Sequence, residues 1–267
     1  MTEKLPLLIV NQFHPNTLKR LDHLFDSYHL WEYEGEAKSQ LLEQLAPICK
    51  MAACASWKCD PKIYELPELE LISCFGVGVD GIDFERTNAQ QIIVTNTPDV
   101  LNDDVADLAI NLMLSVTRKT VQADNFVRAG GWLKQPFFLG NSVAGKNLGI
   151  AGMGRIGEEI AARAAGFKMN IHYHNRRPRP EHSNYTYHDS LIRLADASDI
   201  LISVLPGGEE TQGIIEAEVF HALGMEGFFI NIGRGSCVNE RDLISFLEQQ
   251  AIAGAGLDVY ENEPTVR

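Results

Sequence analysis

Asn147 to Gly166 reads NLGIAGMGRIGEEIAARAAG, and this stretch decides the fold. A short apolar run, LGIAG, passes into a GxGxxG turn at Gly152, Gly154 and Gly157 and then into EEIAARAAG, where apolar positions recur at helical spacing. Strand, glycine turn and helix in that order make the phosphate-cradling unit of a dinucleotide-binding fold. The first glycine allows the tight turn, the second lets the backbone approach a pyrophosphate, and the third permits close helix-to-strand packing. A glycine-rich turn with no ligand is the alternative reading, and the strand and helix on either side argue against it.

Downstream, further strands are expected at Asn170 to His174, Ile200 to Leu205, Gly227 to Ile232 and Ala255 to Val259. Helices are expected near Ile156 to Ala165, His188 to Ala195, Glu216 to Leu223 and Glu240 to Gln249. Five strands joined by four crossovers predict a doubly wound parallel sheet. Upstream the same alternation recurs. Strands are expected at Leu5 to Val10, Ile48 to Ala55, Leu69 to Cys74 and Ile92 to Thr95, with helices at Thr17 to Leu24 and Ala37 to Leu45. Two domains follow, 1–98 and 99–267, with no repeat or linker between them.

Between them, Asn102-Asp103-Asp104 precedes Val105, Leu108, Ala109, Leu112, Met113 and Val116. A polar cap, acids in the first turn and this spacing predict one long helix from about 103 to 129, closed by Gly130-Gly131. Ile110 and Leu114 lie off the main stripe, so the helix is expected to be buried on two sides, either between domains or against a second subunit.

Composition narrows the functional classes. Among 267 residues, 36 acids against 23 bases leave a charge of −13, which repels phosphate backbones and anionic lipid and argues against nucleic acid or membrane partners. Apolar residues at 45% and charged ones at 22% match a globular chain rather than a disordered or fibrous one. The cysteines at 49, 54, 59, 74 and 237 form no CxxC pair and have no histidine at zinc-site spacing, so no metal is expected. They read as buried small residues in a reducing compartment. The apolar run Leu7 to Val10 is too short for a signal or a span, and a cytoplasmic protein is expected.

The end of the second strand of the nucleotide domain selects the cofactor. An NAD site places an acid about 20 residues beyond the glycines to bind the ribose 2′-hydroxyl. Here the chain reads His172-Tyr173-His174-Asn175-Arg176-Arg177, with Asn175 at 175 − 152 = 23. The acid is absent, and two guanidinium groups stand where a 2′-phosphate would lie. NADP(H) is therefore preferred over NAD(H); a solvated basic turn before Pro178 is the alternative.

Two further motifs fall at predicted C-terminal strand ends, where open α/β sheets bind ligands. They are Ile230-Asn231-Ile232-Gly233-Arg234-Gly235 and Gly256-Leu257-Asp258-Val259-Tyr260-Glu261-Asn262-Glu263-Pro264. Charged residues there need a task or a partner, and an Arg234 to Glu263 ion pair would be a purely structural answer.

Together with VGVDGID (77 to 83) and NTPDVLNDDVADLA (96 to 109), these motifs resemble the D-isomer-specific 2-hydroxyacid dehydrogenases. The likeness is greatest to the NADPH-dependent glyoxylate, hydroxypyruvate and hydroxyphenylpyruvate reductases. The resemblance implies an α/β chain of two Rossmann-like, doubly wound parallel-sheet domains: a flavodoxin-like substrate domain, then a dinucleotide-binding domain. It implies NADPH-dependent reduction of a small 2-oxoacid in a homodimer, formed through the 103–129 region. Arg234 matches the arginine that binds the substrate carboxylate and polarises the carbonyl; Val77 and Gly78 match backbone that holds the same carboxylate. Glu263 matches the acid that orients a catalytic histidine. Arg155 and Ile156 match the pyrophosphate loop, and Asn175, Arg176, Arg177, Leu205, Pro206, Thr211, Ile232 and Asp258 match cofactor contacts. Gly207-Gly208 departs from the residues the family carries after that proline.

The catalytic histidine of the family follows the Glu-Pro motif after one more strand, whereas the last histidine here is His221. The resemblance therefore places a strand, a histidine and the return to the first domain beyond residue 267. A non-catalytic NADP(H)-binding protein or an inactive fragment is the competing expectation. His14, His172, His174, His182, His188 and His221 read as surface or capping residues. The substrate side-chain pocket is expected near Ala55-Ser56-Trp57 and Phe75, with Trp57 as either core or pocket wall.

Overall fold

The computed structural model describes residues 4–55 and 59–266, so Ser56 and Trp57 lie outside the described residues. The chain divides into two compact units, Met1–Val100 and Leu101–Arg267.

The first unit runs β1 (Pro6–Ile9), α1 (Pro15–Leu24), β2 (Asp26–His29), α2 (Gly35–Leu45), β3 (Met51–Ala55), β4 (Leu71–Phe75), α3 (Phe84–Ala89) and β5 (Ile93–Thr95). Its strands pair in the order β2-β1-β3-β4-β5, all parallel, which is the flavodoxin order. Alternation along β1 supplies both faces. Leu8 and Val10 pack with Leu41, Leu42 and Leu45 of α2, while Leu7 and Ile9 pack with Leu18 and Leu21 of α1. The five cysteines are free thiols, and Cys54 and Cys74, register partners on β3 and β4, bring their sulfurs to 3.7 Å.

The second unit runs α4 (Asn102–Thr117), α5 (Thr120–Arg128), β6 (Asn147–Ala151), α6 (Arg155–Gly166), β7 (Asn170–His174), β8 (Thr186–His188), α7 (Leu191–Asp196), β9 (Ile200–Ser203), α8 (Ala217–Leu223), β10 (Phe228–Asn231), α9 (Glu240–Glu248) and β11 (Gly254–Leu257). The all-parallel order is β11-β10-β9-β6-β7-β8. Numbered within the unit, that is the dinucleotide-binding order, with the direction of winding reversing between β6 and β9. Both faces are covered. Leu148 and Ile150 pack with Ala106, Met113 and Ile160 of α4 and α6, and Phe229 on the other face packs with Leu194, Phe220 and Leu243.

Several expectations need correction. The predicted 103–129 helix is two helices, broken at Lys119 in the left-handed region (φ 54°). The break is imposed from outside the helix. The Thr117 carbonyl accepts from Asn141 N–H (2.9 Å), its hydroxyl bonds back to Met113 O (2.8 Å), and Gly140 lies so close that a Cβ would meet Arg118 Cα at 2.9 Å. Burial on two sides holds only for α4, since α5 buries no residue. Strands β2 and β8 were not expected; the nucleotide sheet therefore has six strands, and His188 ends β8 instead of opening a helix. Among the described residues, no helix is long and apolar enough to cross a membrane.

Candidate active site

The winding reversal puts the ends of β6 and β9 side by side, and the glycine turn follows β6. Gly152 (φ 102°) donates its N–H to His174 O at 3.0 Å, and its carbonyl accepts Gly154 N–H at 3.0 Å. A Cβ on Gly152 would stand 3.0 Å from Val204 O, and one on Gly157 would collide with the Gly152 carbonyl. Gly154 differs: a Cβ there would meet nothing within 4 Å, so its surroundings are open. Gly154 caps α6, whose first N–H groups lack partners within the helix and carry the positive end of its dipole. Open space over a capped helix start, reached by a glycine turn, fits a pyrophosphate.

Asn175 clamps this turn. Its Oδ1 accepts Met153 N–H at 2.7 Å and its Nδ2 donates to Met153 O at 3.0 Å, so the amide fixes the glycine turn to the end of β7. The next two residues, Arg176 and Arg177, are exposed, and Arg176 Nη1 pairs with Glu210 Oε2 at 2.8 Å. After β9, Leu205 and Pro206 lead into a turn closed by Thr211, whose hydroxyl donates to Pro206 O at 2.6 Å.

Arg234 follows β10 and is half-buried. The turn that presents it is built by Asn231, 1% exposed, which accepts Gly233 N–H (3.1 Å) and donates to Arg234 O (3.0 Å). Arg234 Nη1 in turn donates to Gly233 O at 2.8 Å. A Cβ on Gly233 would stand 2.5 Å from Leu205 O, and one on Gly235 would run into the Tyr260 backbone. These approaches bring 205–206, 232–235 and 258–261 to one edge of the sheet, with Ile232 buried beneath. Glu240, also buried, accepts Glu261 N–H at 2.5 Å, and Glu263 Oε1 accepts Tyr260 N–H at 3.0 Å. Partial burial, then the charge of Glu263, hold the Asp258 carboxyl above the usual carboxylate range.

In the first unit, Val77 and Gly78 follow β4 in a loop pinned by Asn96 Nδ2 to Val77 O (2.8 Å) and by two bonds between Gly76 and Thr97 (both 3.0 Å). Among the described residues, no protein acceptor takes the Val77 or Gly78 N–H. Two half-buried donors without a protein acceptor suit a small anion.

A model of the D-isomer specific 2-hydroxyacid dehydrogenase NAD binding domain matches residues 110–267. The chain belongs to the D-isomer specific 2-hydroxyacid dehydrogenase family. It is 42% identical to the hydroxyphenylpyruvate reductase of Plectranthus scutellarioides, over 93% of this chain and 79% of that one. It is 38% identical to the 2-ketogluconate reductase of Gluconobacter oxydans, over 100% and 84% of the two chains. Among solved structures, the 2-hydroxyacid dehydrogenase of Ketogulonicigenium vulgare superposes with a TM-score of 0.92 at 34% identity, covering 100% and 84%. The NADPH-dependent glyoxylate/hydroxypyruvate reductase of Sinorhizobium meliloti, in complex with NADP and malonate, gives 0.89 at 38% identity, covering 99% and 82%.

Within this dehydrogenase fold, three residues that position the site were not singled out from sequence. Asn231 could have been noticed as an amide ending the apolar run FFIN, and Glu240 as the first acid after Arg234. Glu210 lies in a turn whose partner is 34 residues away, so local reading gives no sign of it.

The clamp on the glycine turn carries no charge, and its two side-chain bonds go to the Met153 backbone. Asn175→Ala is therefore expected to weaken NADPH and NADH binding alike, by about 10-fold for two lost hydrogen bonds. Fluorescence titration with both cofactors checks this; a loss confined to NADPH would contradict a clamp.

Proposed function

We propose that this dehydrogenase reduces a small 2-oxoacid, such as glyoxylate or hydroxypyruvate, to the D-2-hydroxyacid and prefers NADPH to NADH. The observation that carries the reading is Arg234, half-buried at the end of β10 and fixed by the Asn231 turn on the same sheet edge as the glycine turn. When bound, NADPH supplies the hydride. Gly152, Gly154, Arg155, Ile156 and Gly157 would hold its pyrophosphate, Arg176 and Arg177 its 2′-phosphate, and Leu205, Pro206, Thr211, Ile232 and Asp258 the remainder.

Arg234 supplies a planar fork for the substrate carboxylate and positive charge where the carbonyl oxygen becomes an alkoxide. In the first unit, the N–H groups of Val77 and Gly78 are neutral donors of the kind that suits a small carboxylate. Glu263 orients the proton donor that quenches the alkoxide. The competing reading is an NADP(H)-binding protein without turnover. Several of the eight histidines have structural contacts. His14 caps α1, His29 pairs with Asp22 and Glu32, His172 meets His188 at 2.9 Å, and His182 meets Glu158.

The partner we propose is a second copy of the chain. Because α4 is consumed by its own core, the surface left apolar is α5 and the arm after it, where Trp132, Leu133, Phe138 and Leu139 are 70–95% exposed. Four large apolar side chains exposed within one short segment suit a homodimer interface. Five free thiols support a reducing, cytoplasmic setting.

Incubated with NADPH and glyoxylate or hydroxypyruvate, the protein is expected to consume nicotinamide absorbance; cofactor binding without consumption would support the reading without turnover. Arg234→Ala is expected to lower kcat/KM by about 10²–10³-fold while leaving NADPH affinity within about 2-fold. Arg176→Ala combined with Arg177→Ala is expected to weaken NADPH by 10-fold or more, on the order of two lost charge-assisted contacts, and NADH by less than about 3-fold; equal losses would sink the preference. Leu133→Asp with Leu139→Asp should shift light scattering from dimer to monomer, and an unchanged mass would remove the arm from the interface.

A further inference from the structure

We infer that Glu210 sets the nucleotide preference by competing with the 2′-phosphate of NADPH for Arg176. This rests on the reading that Arg176 and Arg177 form the 2′-phosphate subsite. Arg176 lies two residues beyond β7, and Glu210 lies in the short turn Glu209–Thr211 beyond β9. Strands β7 and β9 flank β6 on opposite sides. The 2.8 Å pair between these two residues therefore crosses the end of β6, over the glycine turn, where the adenosine half of a dinucleotide must enter.

The pair is a poor structural brace. Its side chains are 88% and 79% exposed, and pairs so exposed contribute little to stability. What it does is engage one guanidinium N–H with a carboxylate oxygen, a bond that a phosphate oxygen could take instead. Arg177 is exposed as well and pairs with no carboxylate among the described residues. The two arginines thus differ: Arg177 offers its whole fork to a 2′-phosphate, while Arg176 shares its guanidinium with Glu210. The glutamate is also held near its partner. Thr211 ties the turn to Pro206 O (2.6 Å) and Gly208 O (3.2 Å), so the displaced carboxylate stays close to the incoming dianion and repels it. NADH brings no 2′-phosphate and leaves the pair in place.

The test is a set of fluorescence titrations with NADPH and NADH on the whole chain, comparing the parent with Glu210→Gln, Glu210→Ala, Arg176→Ala and Arg176→Ala/Glu210→Gln. Both Glu210 variants are expected to tighten NADPH by about 3- to 10-fold, the scale of removing one exposed charge pair and its repulsion, and to change NADH by less than 2-fold. In the Glu210→Gln background, Arg176→Ala should cost NADPH several-fold more than it does in the parent, because the arginine is no longer shared. NADPH affinity unchanged or weakened by both Glu210 variants overturns the inference even where the Arg176→Ala/Arg177→Ala loss stands. If that double arginine variant binds NADPH as the parent does, the subsite itself is refuted, and the inference with it.

Discussion

The site depends on three backbone strands of chain meeting at Gly152. Its N–H goes to the end of β7, its carbonyl goes to Gly154, and its missing Cβ lets the Val204 carbonyl of the β9 end come within 3.0 Å of where that atom would be. Each approach excludes a side chain for a different reason. A φ of 102° disfavours any L residue, and contact with a carbonyl cannot be relieved by changing a rotamer. Gly157 repeats the constraint one helical turn later, since it rests against the Gly152 carbonyl. The start of α6 is therefore set by the turn, while Ile160, Ala161 and Ala164 pack the rest of the helix into the core.

The other side of the site uses the same device with different support. Gly233 lies against Leu205, and Gly235 lies against Tyr260, so two glycines bring three separate segments to the edge where Arg234 stands. Asn231 then substitutes for regular strand pairing. Its side chain satisfies one N–H and one carbonyl that the turn removes from the ladder, which is why a polar amide can be 99% buried there without an energetic penalty. Glu240 does the same for Glu261 N–H. A flexible arginine is thus placed by rigid backbone, as a site that must align a carbonyl requires.

Much of this was legible in the sequence because glycine spacing encodes backbone approach directly. The expected strand Asn170 to His174 has its observed ends, because Ile171 and Tyr173 alternate with polar neighbours in NIHYH. Strands β2 and β8 escaped because DSYH and TYH are short, polar and only half-buried at sheet edges, so no alternation marks them. The helix break at Lys119 was invisible for another reason. Nothing in VTRKTV stops a helix; the stop comes from Gly140 and Asn141, some twenty residues later. Asn175 and Glu240 act on backbone atoms some twenty residues away, which spacing alone does not reveal, and Asn231 closes a local turn that no motif role required.

The acidic balance of the chain is reconciled with anionic ligands by the same backbone logic. Several cations are engaged elsewhere: Arg163 with Asp103, Asp107 and Glu159, Lys146 with Asp199, Lys38 with Asp60. The edge of the nucleotide sheet instead offers N–H groups at the start of α6, and the first unit offers those of Val77 and Gly78, donors that add nothing to the net charge. Charges more than about 8 Å away are screened at physiological salt, so a total of −13 has little say in what binds at the edge. Distant acids act on encounter rates. Discrimination between two nucleotides that differ by one phosphate falls to the few charges within a Debye length of that phosphate, and on this chain one of the nearest is the carboxylate of Glu210.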